Sequence, residues 1–438
     1  MNPLPATSRP RSRLSRRRLL AGAGAMLLAA GATGAIAAGA FAATTVKAQA
    51  VADVQAAALG ANWYESAPYY STLDSNGPDL GQVMAATGQK AFEMAFILAD
   101  GGCTPSWDGT DPVSSDTQVA SVINEVRSDG GDVIVSAGGY NGTKLGQVCG
   151  SASATAAAYQ QVISTYGLHA MDFDLEEPEI ENSSAIANEL GAAQILQRNN
   201  PGLFVSITMP STTTGANYFG GLLLDEAKSL GFTPNDYTIM PFDGGFNGGS
   251  SQVTALQDFN AQLMSTFGWS SAQAYAHEGF SGMNGRTDTG EYFYQSDFQT
   301  VLSFAQSYGM SRFTFWSVNR DRQCNPPDNN GSTSSECSSV TQNPWDFTAY
   351  TVAFAQGAPV TSPPPSSPPP SSPPPSSPPP SSPPPSSGGC SAAAWKNNQS
   401  YVSGDEVTYN GHEWTANQWN YDEVPGGPAG AWNDDGAC

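Results

Sequence analysis

The chain has 438 residues, is 39% apolar and only 13% charged, and carries a formal net charge of −22. So acidic a chain argues against nucleic acid or an anionic membrane surface as partner, and a neutral substrate fits better. The length allows one large domain plus a small one.

The first element is an export signal over residues 1–42. These residues hold six of the 17 basic residues and none of the 39 acidic ones. Cleavage therefore leaves 11 basic residues against 39 acidic ones, a mature charge of −28. Leu19 to Ala42 is apolar and rich in small residues, and Ala40-Phe41-Ala42 reads as a cleavage site, with Ala48-Gln49-Ala50 as a second option. Ser15 to Leu20, SRRRLL, resembles a twin-arginine signal; an ordinary secretory signal with extra arginines is the alternative. A secreted, extracellular protein is expected. No later segment is long and apolar enough to span a membrane.

After an N-terminal segment, residues 43–60, the pattern alternates from 61 to 356. Short β-rich apolar runs fall at Asn62–Tyr70, Ala91–Leu98, Asp132–Ala137, Ala170–Glu176, Leu203–Pro210, Tyr237–Asp243, Gln273–Glu278 and Arg312–Val318. Stretches with helical spacing lie between them, at Thr117–Arg127, Ala152–Tyr166, Ser184–Arg198, Val253–Phe267 and Ser296–Tyr308, with a last helix at Asp346–Ala355. Eight strands, each followed by a helix or loop, predict an α/β fold, a (β/α)8 barrel. A doubly wound sheet is the second choice; it would open with a Gly-rich turn after the first strand, and none is present.

The fourth run reads MDFDLEE. Period-two alternation puts Asp172, Asp174 and Glu176 on the inward face of a strand and Phe173, Leu175 and Glu177 on the other. Barrel active sites lie at the C-terminal strand ends, so Glu176 should stand at the mouth. Like charges crowded in low dielectric cannot all ionise, so at least one pKa rises. A carboxylic acid still protonated near neutrality suits a leaving glycosidic oxygen. A cation site is the rival reading, but calcium ligands usually come from a Gly-containing loop.

The D-x-D-x-E pattern resembles the signature of family 18 glycoside hydrolases, the chitinases and their relatives. Ser136-Ala137-Gly138-Gly139 looks like that family's S-x-G-G, Met240-Pro241-Phe242-Asp243 like its M-x-Y-D, and Trp316 like the tryptophan that floors the cleaved sugar's subsite. The flanking text resembles the compact archaeal and bacterial subgroup. The resemblance implies a retaining, substrate-assisted mechanism. Glu176 would be the general acid and base. Asp174 would orient the substrate's 2-acetamido group, and Asp172 would set the charge state of Asp174. Gly138, Gly139, Met240, Phe242, Asp243 and Trp316 would bind substrate. No cofactor or metal is implied.

Two positions depart from the family pattern. His169 stands where a fourth acid is common, and should be a packed, hydrogen-bonded residue. Phe242 stands where many members have Tyr; Tyr275, Tyr292 and Tyr140 are the candidates for the missing hydroxyl. Glu278 should end the seventh strand, either touching substrate or pairing with Arg286 or Arg320. Asn319-Arg320-Asp321-Arg322 reads as a salt-bridged loop. Trp63 and Tyr64 fit barrel core better than a sugar platform.

Residues 357–389 form a linker, with five PPP runs between Thr361 and Ser387. As polyproline II it would reach roughly 80 Å. Residues 390–438 are too short for a large core, yet hold seven aromatics: Trp395, Tyr401, Tyr409, Trp414, Trp419, Tyr421 and Trp432. The order of motifs resembles the small chitin-binding modules of families 5 and 12. It implies Trp419 and Tyr421 on the binding face, with Trp414 and Trp395 as further candidates, and Tyr409 and Trp432 in the core.

Six cysteines in an exported chain favour disulfides over zinc. Spacing suggests Cys103–Cys149, Cys324–Cys337 and Cys390–Cys438. The expected function is a secreted, monomeric chitinase acting on chitin and chito-oligosaccharides. The alternatives are a non-catalytic chitin-binding protein and an endo-β-N-acetylglucosaminidase on glycoprotein glycans.

Overall fold

The computed structural model describes residues 58–74, 76–358, 392–396, 400–401, 404–416, 420–421, 424–426 and 431–437. The export signal, the linker, Trp419 and the Cys390–Cys438 pair lie outside them.

Eight parallel strands make the barrel: β1 Tyr69–Ser71, β2 Ala91–Ala99, β3 Asp132–Gly138, β4 Ala170–Asp174, β5 Phe204–Thr212, β6 Asp236–Met240, β7 Glu278–Met283 and β8 Arg312–Trp316. The helices that follow them are α1 Leu80–Thr87, α2 Gln118–Ser128, α3 Ala152–Tyr166, α4 Ser183–Asn199, α5 Tyr218–Leu230, α6 Gly248–Phe267, α7 Gln295–Tyr308 and α8 Thr348–Gln356. Small polar residues start several of them. Asp79, Ser151, Asn182 and Asn217 each accept a backbone N–H from the first turn, which satisfies donors the helix itself cannot.

The strands are buried along nearly their whole length, and the outward residues pack under the helices into one core that includes Phe173, Leu196, Tyr237, Phe280 and Phe313. Register then decides what meets inside. Asp172 is level with Ser136 and Ser206, and Asp174 with Gly138 and Thr208.

Closure of the barrel is unlike the rest. Among the described residues no strand ladder pairs β8 with β1. The seam is held instead by the Phe313 N–H donating to the Glu65 carbonyl (2.9 Å) and by the Asn319 amide. That amide accepts from Ser71 N (2.9 Å) and donates to Ser71 O (3.1 Å).

Three strand assignments need correction. Asn62–Tyr70 is not one strand: Ala61–Tyr64 is a helical turn, and only Tyr69–Ser71 pairs with β2. The turn places Tyr64 with Ala91, Ile134, Ala170 and Phe204 in a separate apolar cluster near the strand starts. Its hydroxyl donates to Asp132 (2.7 Å), so it is core. Gln273–Glu278 is also wrong. Ser271–Tyr275 is a short helix capped by Ser270 and Gln273, an S-x-x-Q capping box that the sequence displays, and β7 begins at Glu278. Glu278 therefore lies at the N-terminal end, fully buried, and accepts from Asn260 (3.0 Å) rather than touching substrate or arginine. Finally, β6 stops at Met240, and Asp243 follows in a turn with φ of 57°.

Disulfides join Cys103 to Cys149 and Cys324 to Cys337. The C-terminal residues form small sheets whose core holds Tyr401, Val407, Ala416, Ala431 and Trp432. No described helix is long and apolar enough to cross a membrane.

Candidate active site

Asp172 is well served by side-chain donors. Thr208 donates to Oδ1 (2.8 Å), and Ser136 (2.7 Å) and Tyr69 (3.2 Å) donate to Oδ2. The Arg312 guanidinium lies 3.7 Å from Oδ1. Three strands thus supply donors to one group, and a fourth sets a cation beside it. Arg312 also pairs with Glu93 on β2, and both side chains are wholly buried. Burial raises the Glu93 carboxyl well above its ordinary range; Arg312 opposes the shift and Asp172 reinforces it. Gly279 leaves room beside the root of the Arg312 side chain: a Cβ there would lie 1.9 Å from Thr238 Oγ1 and 2.9 Å from the Arg312 Cβ.

Asp174 sits one step higher and is served less well. Its Oδ1 is buried and has no hydrogen-bond partner. Burial, then Glu176, Asp172 and Glu93, raise its pKa well above the ordinary carboxylate range. Such an oxygen suits an amide N–H brought by a ligand. Gly138 and Gly139 hold this residue from the side. A Cβ on Gly138, at φ of 118°, would sit 1.9 Å from the Asp174 carbonyl oxygen, and Gly139 N donates to that oxygen (2.9 Å). Both glycines are buried and neither lines the cleft described below. Both glycines thus shape the backbone beside Asp174.

Glu176 lies beyond the last residue of β4 and is half-buried. Burial pushes its pKa up to about 8; Glu177, Asp243 and Asp288 add to the rise and Lys144 opposes it. It opens on a cavity of about 570 Å³ lined also by Tyr140, Pro210, Asn217, Met240, Phe242 and Asp243. Glu177 lines the same cavity, so its expected opposite-face position is wrong: strand alternation ends at Asp174 and no longer governs it. Trp316, at the end of β8, stays half-exposed and lies nearly parallel to Phe96 (5.6 Å, 10°). Asp243 accepts from Thr289 N (2.8 Å) and Oγ1 (2.9 Å), while Glu291 accepts from Asp243 N (2.7 Å).

Of the three tyrosines considered against Phe242, only Tyr140 reaches this cavity, and it is 66% exposed. Tyr275 packs against Phe304 and Tyr308, and Tyr292 stacks on Tyr294 below Arg286. His169 hydrogen-bonds Asp132 (2.9 Å), as a packed residue. The 319–322 loop is held by backbone, not by salt bridges. Arg320 donates to the carbonyls of Asn284 and Arg286, and Asp321 accepts from Phe347 N, Thr348 N and Thr348 Oγ1. In the C-terminal sheets Trp395 and Trp414 are half-buried against the core. Trp414 Nε1 donates to the Tyr409 carbonyl (3.1 Å), so these rings are partly committed to packing. The side chain of Tyr421 is outside the described residues.

Sequence reasoning missed Glu93, Arg312 and Lys144. Charged residues inside apolar runs were the available signal, at FEMAF and RFTFW. Only closure of the barrel shows that they meet.

The comparisons with known proteins agree on both parts. The model for carbohydrate-binding module family 5/12 matches residues 394–433. A probable bifunctional chitinase/lysozyme of Escherichia coli K12 is 27% identical over 275 residues, covering 58% of this chain and 30% of that protein. Endochitinase 11 of Metarhizium anisopliae is 27% identical over 273 residues, covering 58% and 52%. The catalytic domain of a hyperthermophilic chitinase from Pyrococcus furiosus aligns with a TM-score of 0.60 and 26% identity, over 66% of this chain and 94% of that one.

The barrel is similar in sequence and in fold to these chitinases. The chain spans about a third and a half of the lengths of the two relatives, so what they do as whole proteins does not pass to it directly.

This barrel stores many neutral carboxyls, with a consequence for stability. Burial pushes Glu65 and Glu189 up to about 7 and Asp321 up to about 6, beside Glu176 at about 8. Each folded value exceeds its unfolded one, near 4. The contribution is therefore complete below about pH 4 and is lost as pH rises through about 6 to 8. The urea midpoint should be lower at pH 8.5 than at pH 5; a higher midpoint at pH 8.5 would contradict this.

Proposed function

We propose that the protein is a secreted chitinase that hydrolyses β-1,4 bonds between N-acetylglucosamine units. One observation carries the reading: Glu176 is raised to about 8 at the mouth, directly above Asp174 with an unpartnered buried oxygen. A carboxyl still protonated at neutral pH can donate to the glycosidic oxygen. Asp174 receives the acetamido N–H, and the acetamido oxygen attacks the anomeric carbon to give an oxazolinium ion. Glu176 then takes a proton from the incoming water, with overall retention. Asp172 is held in place below by Thr208, Ser136 and Tyr69. Met240, Phe242 and Asp243 line the sugar cavity, and the half-exposed Trp316 at the end of β8 is the candidate floor for the cleaved sugar.

The family 5/12 match supports anchoring to insoluble chitin, with Trp419 and Tyr421 as the contact residues and residues 357–389 as the spacer. The N-terminal sequence supports export and an extracellular protein. Reducing sugar released from colloidal chitin tests the activity; binding without release would leave a chitin-binding protein instead. Truncation after Gln356 should lower retention on insoluble chitin by about tenfold or more, within the range of lost avidity, and spare cleavage of soluble chito-oligosaccharides. Equal loss on both substrates would contradict the two-part reading.

A further inference from the structure

Lys144 is a cation with almost no access to water, being 1% exposed. A buried ammonium is costly unless its protons are used and its charge is answered. Its Nζ donates to the Tyr140 carbonyl (2.9 Å) and lies 3.4 Å from the Glu177 carbonyl, a second acceptor. Those carbonyls belong to two different loops, one after β3 and one after β4. Tyr140 and Glu177 both line the cavity on which Glu176 opens. No other described lysine bridges two loops of this cavity.

The charge faces acids from each element packed around it. Glu176, Glu177 and Glu179 come from the loop after β4, and Asp174 from β4 itself. Behind them, Glu189 of α4 accepts from Gly146 N (2.6 Å) and Tyr159 OH (2.9 Å), and interacts with Glu179. On the far side of the cavity, Asp243 and Asp288 act on Glu176 in the opposite sense to Lys144. The lysine is thus the positive group in a ring of acids around the candidate acid.

We infer that Lys144 is a positioning residue of the proposed reaction: its ammonium staples the loops after β3 and β4 that both reach the cleft, and sets a positive charge among the acids around Glu176. The inference rests on Glu176 being the acid. A neighbouring cation favours a carboxylate, so removing it raises the pKa of Glu176. The alkaline limb of the rate profile must then move up, while the released loops lower kcat.

The test compares Lys144→Met, Lys144→Gln and Lys144→Arg with wild type on soluble chito-oligosaccharides, across pH, with Glu176→Gln in parallel. The Met and Gln variants should shift the alkaline limb of kcat/KM upward by about half a unit or more. Their kcat should fall about tenfold, with KM changed less than about threefold. Lys144→Arg keeps the charge and should leave the limb in place. A limb that does not move in folded Met or Gln protein overturns the inference. So does failure of both neutral variants to fold, because Lys144 would then be a structural cation alone. If Glu176→Gln retains activity, Glu176 is not the acid and the mechanism on which this inference rests fails; if only the limb test fails, that mechanism stands without this role for Lys144.

Discussion

Glu176→Gln should lower hydrolysis of both colloidal chitin and soluble chito-oligosaccharides by a factor between about 10² and 10⁴, the range general acid–base catalysis supplies. The substitution keeps the shape of the side chain and removes only the transferable proton. Binding to insoluble chitin should persist, because residues 394–433 match a separate carbohydrate-binding module. Thermal stability should hold or rise. The acid is raised by burial and by Glu177, Asp243 and Asp288, so a neutral group there costs the fold nothing. Reducing-sugar release, chitin pull-down and a thermal melt on the same preparation check all three parts. Activity within tenfold of wild type would remove Glu176 as the acid and, with it, the ladder as the source of chemistry.

The second large effect is on folding. Arg312→Met should destabilise the protein by about 3–5 kcal/mol, the cost of leaving a buried charge without its partner. The methionine fills much of the space but answers neither Glu93 nor Asp172. Urea denaturation at pH 6 measures the loss. The double variant Arg312→Met with Glu93→Gln should lose less than the sum of the singles, because the two groups share one interaction. Additive losses would mean that Arg312 acts through packing alone.

Much of this was legible before any coordinates. Eight apolar runs separated by helical spacing specify a barrel, and the alternation of Asp172, Asp174 and Glu176 specifies which face they share. What failed had local causes. Asn62–Tyr70 looks extended because aromatic residues favour strands, but Ala61–Tyr64 turns once to put Tyr64 among Ala91, Ile134, Ala170 and Phe204. Gln273–Glu278 hid a capping box behind its apolar content. Glu177 was placed by a period that holds only while the strand lasts. Glu93, Arg312 and Lys144 are separated by tens to hundreds of positions from the acids they serve, and no short-range pattern joins them. Glu278, expected at the far end of its strand, shows the same limit: one misplaced strand boundary moves a side chain from one end of the barrel to the other.

The seam between β8 and β1 has a mechanical meaning. A cylinder of paired strands resists opening equally all round, like a welded hoop. This one is closer to a strap fastened by a buckle, with Asn319 as the tongue and the Ser71 backbone as the slot. Trp316 stands three residues from that fastening, so the half-exposed ring is carried on the one joint that side chains hold. The rest of the wall can stay rigid around the acids while this edge gives slightly under an incoming chain, and amide exchange at Ser71 and Phe313 would show the joint loosening before any other part of the cylinder.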